Sequence, residues 1–143
     1  MRRADPAPVQ ITAARADAVA APRPPLVAVI DDDPSVRESL PDLLTTFGFS
    51  VRAFASAEGF LASDCVVSTD CLILDIAMPG MTGPELQAEL ARRHRPPIVF
   101  ITAHADAALR SRLIAAGAVD CLSKPFDEDS LLAALNVALG RRP

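Results

Sequence analysis

The sequence predicts an α/β fold in which a doubly wound, five-stranded parallel sheet carries helices on both faces. From Leu26 onward, short apolar runs alternate five times with longer amphipathic stretches, a pattern typical of parallel strands joined by crossover helices. Two of the apolar runs end abruptly in carboxylates, one at residues 31–33 and one at Asp75. Ligands of open α/β sheets bind outside the carboxyl ends of the strands. The strand order 2-1-3-4-5 is expected, because it places the first and third strands side by side and brings these carboxylates together.

Each predicted strand is a run of four or five mainly apolar residues, bounded by polar or turn residues. The five runs cover residues 26–30, 50–54, 71–75, 98–101 and 119–122. Helices of about 8–15 residues are expected between them, and a last helix after Phe126. The first helix begins after the N-cap Asp33, with Pro34 in its first turn, and ends at Gly48.

The spacing of apolar residues assigns a buried face to three of the helices. These inward-facing residues are Leu40, Leu43, Leu44, Phe47, Leu86, Leu90, Leu131, Leu132, Leu135 and Leu139. A later helix opens at Gly83-Pro84, another covers residues 107–116, and the last follows the N-cap Asp127. Pro41 lies inside the first helix, where it removes a backbone hydrogen bond and is expected to produce a kink.

The composition of the 143 residues, half of them hydrophobic, suffices for one domain with a packed core. Residues 1–25 are rich in Ala, Pro and Arg, so a flexible tail is expected there and the folded domain over residues 26–143. This tail contains four arginines and two aspartates, a balance of +2, so the rest of the chain carries −6 of the overall net charge of −4 and forms an acidic body. An acidic body without Trp or Tyr argues against direct nucleic-acid binding by this domain.

The apolar runs are too short for a membrane span, and no continuous apolar stretch follows the basic N-terminus as a signal peptide would require. The three cysteines form no CxxC pair and no metal-ligand spacing with the two histidines, which fits reduced thiols. A soluble, cytoplasmic protein without membrane association is therefore expected.

Polar side chains stand at the ends of four predicted strands, namely Asp31, Asp32, Asp75, Thr102 and Lys124. Like charges that meet raise one another's pKa unless a cation neutralises them. Carboxylate oxygens suit a hard divalent ion, most plainly Mg²⁺. Taken singly, a lysine near carboxylates indicates a salt bridge and a threonine at a strand end indicates a cap. Together, these groups predict an acidic metal site.

Four motifs follow one another in the chain: VIDDD, LDIAMPGMTG, FITAH and LSKPF. On these motifs, residues 26–140 resemble the receiver domain of two-component response regulators, which has a flavodoxin-like (CheY-like) fold. The stretches GFSVRAFASAEGFL and AGAVDCLSKPF are most similar to the nitrogen-fixation and nodulation branch of these regulators. The resemblance implies a regulatory domain that catalyses at most its own phosphorylation and dephosphorylation.

The resemblance assigns the phosphoryl chemistry to the acidic residues. Asp75 matches the aspartate that accepts a phosphoryl group from a phosphohistidine on a sensor histidine kinase. Asp32 matches the residue that binds Mg²⁺ (or Mn²⁺) directly, and Asp31 matches its partner, which acts through water. The backbone carbonyl of Ala77 matches a further metal ligand.

The resemblance also assigns the residues that respond to the phosphoryl group. Thr102 matches the hydroxyl that closes onto the phosphoryl oxygens, and Lys124 matches the lysine that pairs with them. The bond between Lys124 and Pro125 matches one that is commonly cis. Closure of Thr102 would reshape the face formed by the fourth helix, fifth strand and fifth helix, through which homodimerisation is a family-level expectation.

Three positions bear on how the switch works. The family usually has Tyr or Phe three residues before the lysine, and here that residue is Cys121, a thiol too small to fill the space of a ring. The usual aromatic response is therefore in doubt. Ala77 and His104 occupy positions that tune the lifetime of the phosphoryl group in the family, and the sequence favours an exposed loop position for His104.

Three other interpretations of the strand-terminal aspartates compete with a working receiver. An aspartyl-phosphate phosphatase needs a second aspartate two residues after its nucleophile. After Asp75 that position is Ala77, and after Asp31 it is Asp33, which is followed by Pro34 rather than by the expected Gly, Thr or Val. A dinucleotide-binding domain needs a Gly-rich turn where this chain has aspartates. A receiver-like module that acts without phosphorylation stays open, because Cys121 weakens the usual switch.

The output of the signal is not encoded in the part of the chain that carries the motifs. Related regulators often continue into a DNA-binding domain, whereas this sequence ends at Pro143. A stand-alone receiver that acts through an unknown downstream protein is the expectation, and the N-terminal half of a DNA-binding response regulator is the alternative.

Overall fold

The computed structural model describes residues 23–140, in which five strands and five helices alternate. The strands are β1 (Leu26–Ile30), β2 (Ser50–Phe54), β3 (Cys71–Asp75), β4 (Ile98–Thr102) and β5 (Asp120–Ser123). The helices are α1 (Pro34–Thr46), α2 (Ala57–Leu61), α3 (Gly83–Ala91), α4 (Ala107–Ala115) and α5 (Glu128–Ala138). The expected flexible tail lies almost wholly outside the described residues.

The five strands form one parallel sheet in the order β2-β1-β3-β4-β5, which confirms the predicted order. Strand β4 runs one residue further than predicted, and β5 is displaced by one residue toward the C-terminus. As a result Thr102 pairs with Ser123 inside the ladder, and Asp75 pairs with Ile101. The registers place the carboxyl ends of β1, β3, β4 and β5 along one edge of the sheet.

Two apolar clusters cover the two faces of the sheet. One includes Phe60, Leu74 and Phe100, and the other includes Leu44 and Ile73, with all of these side chains fully buried. Strands β3 and β4 are buried at every position. That pattern is expected for central strands of a parallel sheet with helices on both faces.

The C-terminal end of α1 differs from the sequence prediction. Phe47 was expected on the buried face, but it is the C-cap residue of α1 and is 37% exposed. The chain reverses at Gly48, whose φ of +93° favours glycine, and it is Phe49 that enters the core, with 4% exposure. Residues Leu40 and Leu44 are buried as predicted.

Helix α2 has five residues and is shorter than the helices predicted from the sequence. In the segment that follows α2, side-chain hydroxyl groups donate hydrogen bonds to backbone carbonyls. The Ser63 hydroxyl donates to Phe60 O (2.6 Å), and the Thr69 hydroxyl donates to Cys65 O (2.7 Å). Local bonds of this kind compete with continued helix, so the chain turns back toward β3 instead.

The helix starts predicted from the sequence are confirmed for α1, α3 and α5, and side chains cap the first turn of each. Asp33 accepts from Ser35 N (2.9 Å) at the start of α1, and that helix continues through Pro41. Thr82 forms a capping box before α3, and Asp127 caps α5. Among the residues the structure describes, no helix has the length and apolar character needed to cross a membrane.

Candidate functional site

Three carboxylates meet at the carboxyl edge of the sheet. Asp31 and Asp32 directly follow β1, and Asp75 is the last residue of the neighbouring strand β3. One oxygen from each lies within 4.8 Å of the others. Asp31 is fully buried, Asp75 is 6% exposed and Asp32 faces solvent. The structure thus brings together all three acidic residues that the sequence singled out.

Lys124 is the cation of this pocket and the only lysine in the chain. Its Nζ donates a hydrogen bond to Asp31 Oδ2 (2.8 Å) and lies 3.7 Å from Asp75 Oδ1. Its backbone N–H donates to Thr102 O (2.7 Å), which fixes the start of the following loop against β4. The bond from Lys124 to Pro125 is cis.

The electrostatics of the pocket shift two pKa values. Burial, together with the negative charge of Asp31, raises the pKa of Asp75 to about 6, although the Lys124 ammonium offsets part of the rise. Burial by itself lowers the pKa of Lys124, but its hydrogen bond to Asp31 and the charges of Asp31 and Asp75 outweigh this effect. The pKa of Lys124 is therefore raised, and it remains an ammonium at neutral pH.

The other predicted site residues lie around this pocket or behind it. Thr102 ends β4, is 6% exposed and accepts a hydrogen bond at Oγ1 from the backbone N–H of His104 (3.2 Å). His104 is exposed, as the sequence favoured, and Ala77 is exposed in the loop after β3. Cys121 is 4% exposed and pairs with Phe100, in the apolar cluster beneath the pocket.

Two residues that the sequence analysis did not select also contact the site. Arg37 Nη1, on α1, donates to Asp31 O (3.0 Å). Gly83 is packed so closely that a Cβ there would lie 2.5 Å from Asp75 O and 3.0 Å from Phe100 Cε1. The available signal for Arg37 was a cation one turn into the helix after the aspartates. For Gly83 the sequence shows only a glycine at a helix start, which is common without any close contact.

The donor set determines what the pocket can bind. The three carboxylates offer oxygen ligands only, and two of them are largely removed from solvent. Such a set fits a hard divalent cation and does not fit the soft metals that thiolates select. The pocket can therefore hold a divalent cation against Asp75 while Lys124 supplies a second positive charge.

Comparison with known proteins agrees with this architecture. The sequence profile described as the response regulator receiver domain matches residues 27–136. Nodulation protein W of Bradyrhizobium diazoefficiens is 44% identical over 117 residues, which are 81% of this chain and 52% of that protein. The transcriptional regulatory protein FixJ of Azorhizobium caulinodans is 41% identical over 116 residues, which are 80% of this chain and 55% of that protein. The chain thus spans about half the length of the curated relatives it matches.

Solved structures share the fold. The response regulator StyR has a TM-score of 0.73 at 47% identity, covering 82% of this chain and 60% of that one. The crystal structure of FixJ-N also has a TM-score of 0.73, at 36% identity, covering 83% of this chain and 96% of that one. The profile match spans most of the chain, and its ends fall within β1 and α5. The chain belongs to the family of receiver domains of two-component response regulators.

Proposed function

We propose that this domain is a phosphorylation switch in which Asp75 accepts a phosphoryl group from a phosphohistidine on a sensor histidine kinase. One observation carries the proposal: a carboxylate at the end of β3 faces two further carboxylates and one ammonium at 3.7 Å. We take residues 26–143 as the receiver domain. The acidic pocket then has a use that a purely structural cluster of like charges would lack.

The proposed metal is Mg²⁺ (or Mn²⁺), held by carboxylates of Asp31, Asp32 and Asp75 together with the backbone carbonyl of Ala77. Bound there, the cation would supply positive charge against the oxygens of the incoming phosphoryl group. The oxygen-only donor set supports this choice. Without a cation, a phosphodonor would meet three carboxylates and be repelled.

The chemistry proposed for the side chains is a single displacement at phosphorus. An ionised Asp75 oxygen forms a bond to phosphorus while the bond between phosphorus and the donor's histidine nitrogen breaks. The pKa of about 6 leaves most of Asp75 ionised at neutral pH and therefore nucleophilic. The Lys124 ammonium pairs with the negative phosphoryl oxygens, and the Thr102 hydroxyl turns to donate to one of them.

The readout is proposed to pass through the β4–α4 loop to the face formed by α4, β5 and α5. Thr102 Oγ1 already holds the backbone of His104, so a rotation of the hydroxyl removes or redirects that contact. The family usually has an aromatic ring at the position of Cys121. Because the thiol cannot make the ring's movement, the proposed response to phosphorylation relies on the β4–α4 loop. Ala77 and His104 set the lifetime of the phosphoryl group, Ala77 by offering no side chain that positions an attacking water.

The proposed setting is cytoplasmic, where a sensor kinase is the phosphodonor and a protein is the downstream partner. Homodimerisation through the α4-β5-α5 face belongs to the same proposal. Direct contact with nucleic acid is not assigned to this domain, since it is acidic and lacks Trp and Tyr.

The test is intact mass after incubation with acetyl phosphate, with and without Mg²⁺. We expect one phosphoryl adduct in the wild type that requires Mg²⁺ and is absent in Asp75→Asn. The matched control is Asp64→Asn, because the side chain of Asp64 is 93% exposed and lies outside the pocket. An adduct that persists in Asp75→Asn would contradict the assignment. Failure of the wild type with several small phosphodonors, despite Mg²⁺ binding, would instead support a module that acts without phosphorylation.

A further inference from the structure

The loop that joins β3 to α3 is hydrogen-bonded to a side chain of the separate helix α2. Glu58, in the first turn of α2, extends its carboxylate to this loop, and the backbone N–H of Met81 donates to Glu58 Oε2 (2.9 Å). The two residues are 23 positions apart in sequence. The contact therefore joins two separate elements rather than neighbours in a helix.

A second observation concerns the space that this carboxylate occupies. Gly80 has a φ of +75°, and a Cβ built on it would lie 2.6 Å from Glu58 Oε2 and 3.4 Å from Glu58 Cδ. A side chain at Gly80 would both strain the backbone and displace the carboxylate. Because Gly80 has no side chain, the carboxylate of Glu58 can occupy the space beside it.

The remaining contacts of this loop show what the Glu58 contact adds. At the base, Gly83 N donates to Ile76 O (2.9 Å), which closes the loop immediately after Asp75. At the far end, the capping box between Thr82 and Glu85 fixes the first turn of α3. These bonds secure the two ends, while the outer turn at Gly80 and Met81 is joined to α2 through Glu58. Ala77 lies between the secured base and this outer turn.

We infer that Glu58 is a positioning residue for the metal site, which it serves by fixing the outer turn of the loop that carries the Ala77 carbonyl. This inference rests on the proposed function, since it assumes that the pocket binds a divalent cation. Hydrogen bonding from Met81 lowers the pKa of Glu58, so the carboxylate is ionised and accepts strongly at neutral pH. The bond is solvent-exposed, so its effect falls on loop position more than on overall stability.

Two substitutions of Glu58 separate its effect on loop position from the attraction of its negative charge for a cation. Glu58 adds a negative charge that would attract a cation even if the loop were free, so removal of the side chain alone is ambiguous. Glu58→Gln removes the charge but keeps an amide oxygen that can accept from Met81. Glu58→Ala removes both. Glu38, exposed on α1, provides a charge-matched control as Glu38→Ala.

The experiment is calorimetric titration of the full chain with Mg²⁺ for the wild type and these three variants. Glu58→Ala is expected to weaken Mg²⁺ binding by about tenfold, the lower end of what loss of a supporting partner of a metal site usually costs. Glu58→Gln and Glu38→Ala are expected to stay within about twofold of the wild type, and the metal-free thermal midpoints should stay close together.

Three results would overturn the inference. Wild-type affinity in Glu58→Ala would show that the contact does not reach the metal site. Equal weakening in Glu58→Gln and Glu58→Ala would assign the effect to charge. A wild type that binds no Mg²⁺ would overturn both this inference and the proposed metal site. A wild type that binds Mg²⁺ but forms no phosphoryl adduct would defeat phosphoryl transfer alone, and the comparison of variants would still decide the role of Glu58.

Discussion

Neutralising Asp75 should stabilise the metal-free protein, although it abolishes the proposed function. The folded state holds a proton on Asp75 more tightly than the unfolded chain, because the pKa rises from an ordinary 3.8 to about 6. Between these two values the folded state binds more protons, so the free energy of unfolding falls as the pH rises. At neutral pH the full shift in the pKa of Asp75 lowers the free energy of unfolding by about 3 kcal/mol, because one pKa unit corresponds to about 1.4 kcal/mol. Solvent at the rim of the pocket screens these charges and reduces the expected effect to about 1–2 kcal/mol.

The assay is urea unfolding in the presence of a chelator, followed by far-ultraviolet circular dichroism because the chain has no Trp or Tyr. Asp75→Asn should be more stable than the wild type at pH 7, and the difference should shrink toward zero near about pH 4. Mg²⁺ should narrow the difference by stabilising the wild type. Asp64→Asn, at an exposed position, should show no such pattern. An Asp75→Asn protein no more stable than the wild type at pH 7, or equally favoured at every pH, would refute the reasoning.

Four further substitutions test other parts of the structure. Gly83→Ala places a Cβ 2.5 Å from Asp75 O, so it should lower the free energy of unfolding by about 1–3 kcal/mol and slow adduct formation; a neutral effect on both would contradict the close packing. Lys124→Ala should remain folded but lose about 1–3 kcal/mol in chemical denaturation, because a fully buried carboxylate loses its ammonium partner; unchanged stability would show that solvent replaces the pair. Phe49→Ala should lower the free energy of unfolding by about 3–5 kcal/mol, whereas Phe47→Ala should lower it by about 1 kcal/mol or less. A larger loss in Phe47→Ala than in Phe49→Ala, measured by thermal unfolding, would mean that Phe47 is the buried residue, as the sequence predicted.

The strands and their order were predictable because the signals are local and agree with one another. Each apolar run ends at a carboxylate, a hydroxyl or a short polar segment, so only the bounds of β4 and β5 shifted by a residue. Phe47 was misplaced because helical spacing was extended into the cap, where the turn at Gly48 changes the direction of the side chains. Helix periodicity carries no information beyond the last turn.

The acidic residues of the site were predictable for a topological reason. Parallel neighbours bring their carboxyl ends to one edge, so Asp31 and Asp75 had to approach each other once the strand order was right. The contacts of Glu58 and Gly83 were not predictable in this way. Glu58 contacts a loop 23 residues further along the chain, and Gly83 packs against the backbone of Asp75 and the ring of Phe100, neither of which a local pattern announces. In the sequence, Glu58 looks like an ordinary exposed acid and Gly83 like an ordinary helix start.

The single lysine has a practical consequence for any work with this chain. Reagents that couple to side-chain amines, including those used for fluorescent labelling or for attachment to a sensor surface, have Lys124 as their only such target. Its side chain is 24% exposed and engaged by Asp31, so coupling would proceed slowly and would perturb the pocket itself. Attachment through the side-chain amine is therefore unsuitable for binding measurements. Conversely, the acylation rate of Lys124, followed on the peptide that contains it so that the N-terminal α-amine does not contribute, reports pocket occupancy without an engineered residue.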